Sequence, residues 1–155
     1  MTRSNIITLA APPPAIDLST AQRFLTDLDP AASTFHFTLL PDGPAHRNTG
    51  GLFWTGAASW AAVSAMCVNR NAAGASVCVA VNEMRGTRRK AADATRIRAV
   101  FADWDYGIPT QLPLLPSIIN QTSAPQGLIR AQALWLIDQD MMDRATFAEI
   151  GRAHV

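Results

Sequence analysis

Charge is scarce in this sequence and neither sign prevails: Asp, Glu, Lys and Arg make up 16% of the 155 residues and sum to a net charge of +1. So balanced a chain offers no general electrostatic case for nucleic acid, and any such contact has to come from a local patch. Cysteine is scarcer still. Cys67 and Cys78 have neither metal-ligand spacing nor a CxxC arrangement, which excludes a zinc site or a disulfide framework. They are expected to be buried, reduced thiols of a cytoplasmic protein. No apolar run approaches the roughly 20 residues that a membrane-spanning helix needs. The opening MTRSNIITLAAPPPAI has a short apolar patch, but its three prolines break any signal-peptide core, so residues 1–16 are expected to form a flexible leader. What is abundant is hydrophobic side chain, at 48%, enough to bury the core of one globular domain.

Periodicity divides that material into elements. Leu18, Ala21, Leu25 and Leu28 recur at helical spacing after a cap at Asp17 or Ser19, and Pro30 ends the helix. Ser33 to Leu40 alternates as a strand does, and PDGPAHRNTGG follows as a loop. A helix is expected over Ala58 to Ala72, closed at Gly74. SVCVAVNEM predicts a strand, Arg85 to Ala94 a basic loop, and Arg96 to Asp105 the central strand. A proline-punctuated connection over Pro109 to Pro116 leads to strands at Ser117 to Thr122 and Ala131 to Ile137, and a last helix begins at Ala145. Strands and helices mixed at these lengths predict an α+β domain, a mixed or antiparallel sheet with flanking helices.

The chemistry concentrates in RIRAVFADWDYG. Side chains alternate faces along a strand, so Asp103 and Asp105 share one face at the carboxyl end of an apolar run, together with Ile97, Ala99 and Phe101. Two carboxylates so close repel one another, and a hard divalent cation such as Mg²⁺ or Mn²⁺ relieves that repulsion. Metal-binding acids are therefore expected at Asp103 and Asp105. A solvated strand end feeding a turn at Tyr106-Gly107 explains the same residues without a metal.

Around that pair stand VAVNEM, RGTRRKAADATRIRAVFADWD, PSIINQTS and RAQALWLID, in this order. Over about Ala57 to Asp138 the series resembles the primase domain of RepB-type plasmid and phage replication proteins, of the archaeo-eukaryotic primase superfamily. The resemblance implies an RRM-like primase catalytic core, incomplete here, that makes primers by template-directed nucleotidyl transfer. It implies Asp103 and Asp105 as catalytic residues and ligands of two Mg²⁺ or Mn²⁺ ions. It also implies nucleotide contacts from Ser123 and from Gln132, where the family's pattern carries histidine. Glutamine can donate a hydrogen bond but cannot carry the imidazolium charge. Arg130 beside that motif is a candidate phosphate ligand. Arg85, Arg88, Arg89 and Lys90 are candidate contacts to a single-stranded DNA template, although charges on a loop are often merely solvated. Nucleoside triphosphates and a replicative helicase are the other implied partners; a membrane is not among them.

No third acid on a later strand is at hand, so weak metal binding and little activity are expected. The closing Ile150-Gly-Arg-Ala-His-Val155 matches the translation of a common sequencing adapter. Residues 150–155 are accordingly expected to be an adapter scar behind a partial primase-polymerase domain over 17–149. A haloacid-dehalogenase phosphatase would want its D-x-D near the amino terminus, followed by threonine. A glycosyltransferase would want an opening βαβ unit, which is lacking. The remaining alternative is a non-catalytic nucleic-acid-binding module of replication whose primase site has decayed.

Overall fold

The computed structural model describes residues 17–41, 51, 53–87, 90–107, 109, 111–123 and 130–138. The leader, Arg88, Arg89, the helix expected from Ala145 and the adapter-like tail lie outside them.

Helix α1 runs over Leu18–Leu28 and begins where the sequence predicts. Asp17 caps it, its carboxylate accepting from the amides of Ser19 and Thr20 at 2.9 and 3.0 Å and from both hydroxyls at 2.7 Å. These bonds, the Ser19 hydroxyl first, hold the Asp17 carboxyl well below the usual carboxylate range. The helix buries Leu25 and Leu28, while Leu18 at the start of the same stripe stays exposed. Helix α2, Trp60–Ala72, buries Val63 and Cys67, four residues apart and so on one side. Its end is a backbone matter: Gly74 has φ 95° and its amide donates to the Asn71 carbonyl at 3.0 Å. Gly74→Ala forces a Cβ into that left-handed conformation and is expected to lower unfolding free energy by about 1–2 kcal/mol, measurable by urea titration.

The single sheet anticipated from the sequence is three smaller ones, each wholly antiparallel. Strands β1 (Phe35–Pro41), β2 (Trp54–Ala58) and β3 (Ala75–Val79) pair in the order β2-β1-β3. A two-stranded ribbon joins β4 (Glu83–Met84) to β5 (Ala94–Arg96). Strands β6 (Ala99–Trp104), β7 (Ile118–Ser123) and β8 (Arg130–Leu136) pair in the order β6-β8-β7. In β1, Phe35, Phe37 and Leu39 face the core, and His36 and Thr38 are buried on the opposite face. There the Thr55 hydroxyl meets His36 Nε2 at 3.0 Å and the Thr38 hydroxyl at 3.2 Å. It also donates to the Thr87 carbonyl at 3.4 Å, which ties the loop bearing Arg85 and Lys90 to β2.

Arg96 to Asp105 is not one strand. Its ladder stops after Arg96 and resumes at Ala99, and Ile97 and Arg98 between them are buried. Nor is β6 central: within the described residues it is an edge, with β8 in the middle. The break at Ile97 and Arg98 has an electrostatic reason. Arg98 donates from Nε to Asp29 Oδ2 at 2.7 Å, and Arg96 reaches the same oxygen with Nη2. Arg96 Nε also meets Glu83 Oε2 at 2.8 Å. The Asn82 side-chain oxygen accepts from the amides of Arg98 and Ala99 at 2.9 and 3.3 Å, taking backbone donors that a continuing ladder would have used.

One apolar core unites these parts. Leu25 and Leu28 of α1, Val63 and Cys67 of α2, Phe35, Phe37 and Leu39 of β1, Ala99 of β6 and Leu134 of β8 form one cluster. Burial raises the Cys67 thiol above its ordinary range, in keeping with an inert packing role, whereas Cys78 is only half-buried; neither cysteine forms a disulfide. No helix among the described residues is long and apolar enough to cross a membrane.

Candidate functional site

The acids stand where a core face turns into surface. Ala99, Phe101 and Asp103 alternate onto one face of β6, and their exposure rises from zero at Ala99 to 55% at Phe101. Asp103 is exposed. In register beside it stand Gln132 of β8 and then Asn120 of β7, so one row across the sheet reads Asp103, Gln132, Asn120. Directly paired residues share a face. This row is the continuation, toward solvent, of Phe101, Leu134 and Ile118.

Asp105 lies one residue past the end of β6. Its Oδ1 is 3.8 Å from Arg130 Nε, and Arg130 is two residues from Gln132 on the same side of β8. The backbone of Ser123 lies opposite Arg130, after a register shift that begins at Gln121. Five residues named from the sequence, Asp103, Asp105, Ser123, Arg130 and Gln132, thus belong to one end of one sheet. Arg85 and Lys90 do not; they are exposed on the loop tied to β2. Asn82 and Glu83 are taken up by Arg96, Arg98 and Ala99, at the other end of β6.

Two features alter the electrostatic expectation. Asp105 has a cationic neighbour in Arg130, and both partners are about half-exposed or more. Repulsion between the two acids is therefore screened by water and offset by an arginine, so it makes no demand for a metal. The donor chemistry nevertheless suits a hard cation, since carboxylate and amide oxygens are what magnesium and manganese prefer. Among the described residues no group of three or more His, Cys, Asp or Glu gathers to hold one. Such a cation is expected to bind weakly and in competition with Arg130.

Asn120 is the site residue that sequence reasoning passed over. It sits inside PSIINQTS, and only the register across β8 reveals that it shares a row with Asp103. A cleft of about 140 Å³ opens elsewhere, between α1 and the start of β1, with Asp29, Phe35 and Trp60 in its lining. On the far face of the site-bearing sheet Trp104 and Trp135 meet edge to face at 6.4 Å, and Trp135 Nε1 donates to the Leu114 carbonyl at 3.2 Å. That packing assigns the two tryptophans to structure. No family model matches this chain, and neither a curated protein nor a solved structure matches it.

Proposed function

We propose that this chain carries part of a nucleotidyltransferase of the primase-polymerase kind, handling nucleoside triphosphates on a single-stranded template. The supporting observation is the convergence of Asp103, Asp105, Gln132 and Arg130, drawn from two segments of sequence, at the exposed end of β6 and β8. In this reading Asp103 and Asp105 would hold a divalent cation, which when bound supplies positive charge for a triphosphate. Arg130 supplies a guanidinium for phosphate oxygens, and Gln132 donates a hydrogen bond to one of them. The exposed Arg85 and Lys90 add a salt-sensitive contact to the template backbone.

Dinucleotide synthesis on a single-stranded template with manganese tests the reading, run on this chain and on its Asp103→Ala variant. Asp103→Ala is expected to reduce synthesis on the order of 100-fold or more, as loss of a group acting on transition-state charge does. Unchanged synthesis by the Asp103→Ala protein means that the acids are not the site. A second reading has its own observation: with Arg130 3.8 Å from Asp105, a cation already stands beside the acids, and on this reading the same face binds nucleic acid without catalysing anything. It predicts template binding by both proteins and synthesis by neither.

A further inference from the structure

Phe101 stands out on this face. It is 55% exposed, yet its partner in register, Leu134, is 1% exposed and belongs to the core. A single exposed phenylalanine needs no explanation by itself. This one is bordered on its own face by Asp103, Gln132 and Asn120, one row further along the sheet. Rows two residues apart are separated by about 6.6 Å along the strands and adjacent strands by about 4.8 Å, which puts Gln132 about 8 Å from Phe101, within reach of a base stacked on its ring, and Asn120 one strand further, at about 12 Å. Each carboxamide offers both a donor and an acceptor, and an ionised carboxylate only accepts.

We infer that Phe101 is a stacking platform for a nucleobase whose edge is met by Gln132. A base has a π-face that packs on an aromatic ring and an edge that alternates donors and acceptors, and this face presents a match for each. An aliphatic ligand would leave the amide unmet, and a bare phosphate would find no use for the ring. Beyond the amide row stands Arg130, where the phosphate attached to such a base would meet a cation. The inference rests on the nucleotide-handling reading above but not on catalysis.

The test is fluorescence anisotropy with the full 155-residue chain, a labelled single-stranded oligodeoxynucleotide and its abasic counterpart, at one low salt concentration with EDTA present. The unmodified chain is expected to bind the base-bearing strand on the order of 5- to 100-fold more tightly than the abasic one. Phe101→Ala is expected to erase that preference and leave the salt dependence unchanged, because no phosphate contact is removed. Phe101→Trp retains it, and so does Ile119→Ala, which trims a 50% exposed side chain on the opposite face. Displacement of the strand by ATP identifies the base as that of a free nucleotide, and its absence that of a strand. Equal affinity of the unmodified chain for both strands, no binding at all, or an undiminished preference in Phe101→Ala overturns the inference. Lost synthesis on Asp103→Ala with an intact base preference would uphold both proposals. Retained synthesis with that preference intact would remove the catalytic one alone.

Discussion

Replacing Asp29 with alanine is expected to lower the free energy of unfolding by about 3–5 kcal/mol, the range for removing one partner of a buried ion pair. Asp29 is 5% exposed and Arg98 3%, joined at 2.7 Å, and Arg96 shares the same carboxylate oxygen. Without Asp29 the Arg98 guanidinium keeps, among the described residues, only the Phe35 ring, 5.0 Å from its central carbon, and Glu83 at 3.9 Å, too long for a good hydrogen bond. The Ala31 amide loses its acceptor as well. Against a total of about 5–15 kcal/mol for a typical domain, such a loss takes away much of the folded population.

The same pair sets an acid limit. Burial pushes the Asp29 carboxyl up, but the Arg98 hydrogen bond and the charges of Arg96 and Arg98 outweigh it and hold the group below its usual value. A carboxyl depressed in the folded state contributes stability above its unfolded value, about 3.9, and loses it as pH falls through the folded one. Urea titrations from pH 7 downward should therefore show stability falling below about pH 4. The fall should be shallower in Asp29→Asn, which starts lower. A loss under about 1 kcal/mol at pH 7 in Asp29→Ala would mean that Arg98 is solvated rather than buried against this carboxylate.

This network also marks where the sequence could and could not be read. Helix α1 was legible because its cap, its apolar stripe and Pro30 agree with one another. Strand β2 was not: Gly56, Ala57 and Ala58 have poor strand preference, and what stabilises them is pairing with β1, a long-range event. Gly56 lies close beneath the Trp54 ring, where a Cβ would come within 3.1 Å, so its small size serves packing rather than a turn. The break at Ile97 and Arg98 was hidden because its cause, Asp29, lies 69 residues away. Alternation did place Asp103 on the face that starts at Ala99. Which neighbours join it depends on register across three strands, and no local pattern encodes that.

Leu134→Ala is expected to lower unfolding free energy by about 2–5 kcal/mol, whereas Phe101→Ala, its neighbour in register, should lower it by less than about 1 kcal/mol. Leu134 is among the largest fully buried side chains and touches the core shared with α1, α2 and β1, so its loss leaves a cavity that rigid neighbours cannot close. Phe101 at the sheet edge gives up surface already half in water. Denaturation midpoints of the two variants check the difference. Comparable losses would show that β8 is not docked on the core as described. The consequence reaches the candidate site, because Gln132 and Arg130 lie two and four residues from Leu134 on the same face of β8. A cavity beneath Leu134 frees the strand that aligns them with Asp103 and Asp105. Leu134→Ala should therefore weaken binding of a base-bearing strand at temperatures where the protein is still folded, and restoring the volume with methionine should recover both stability and binding.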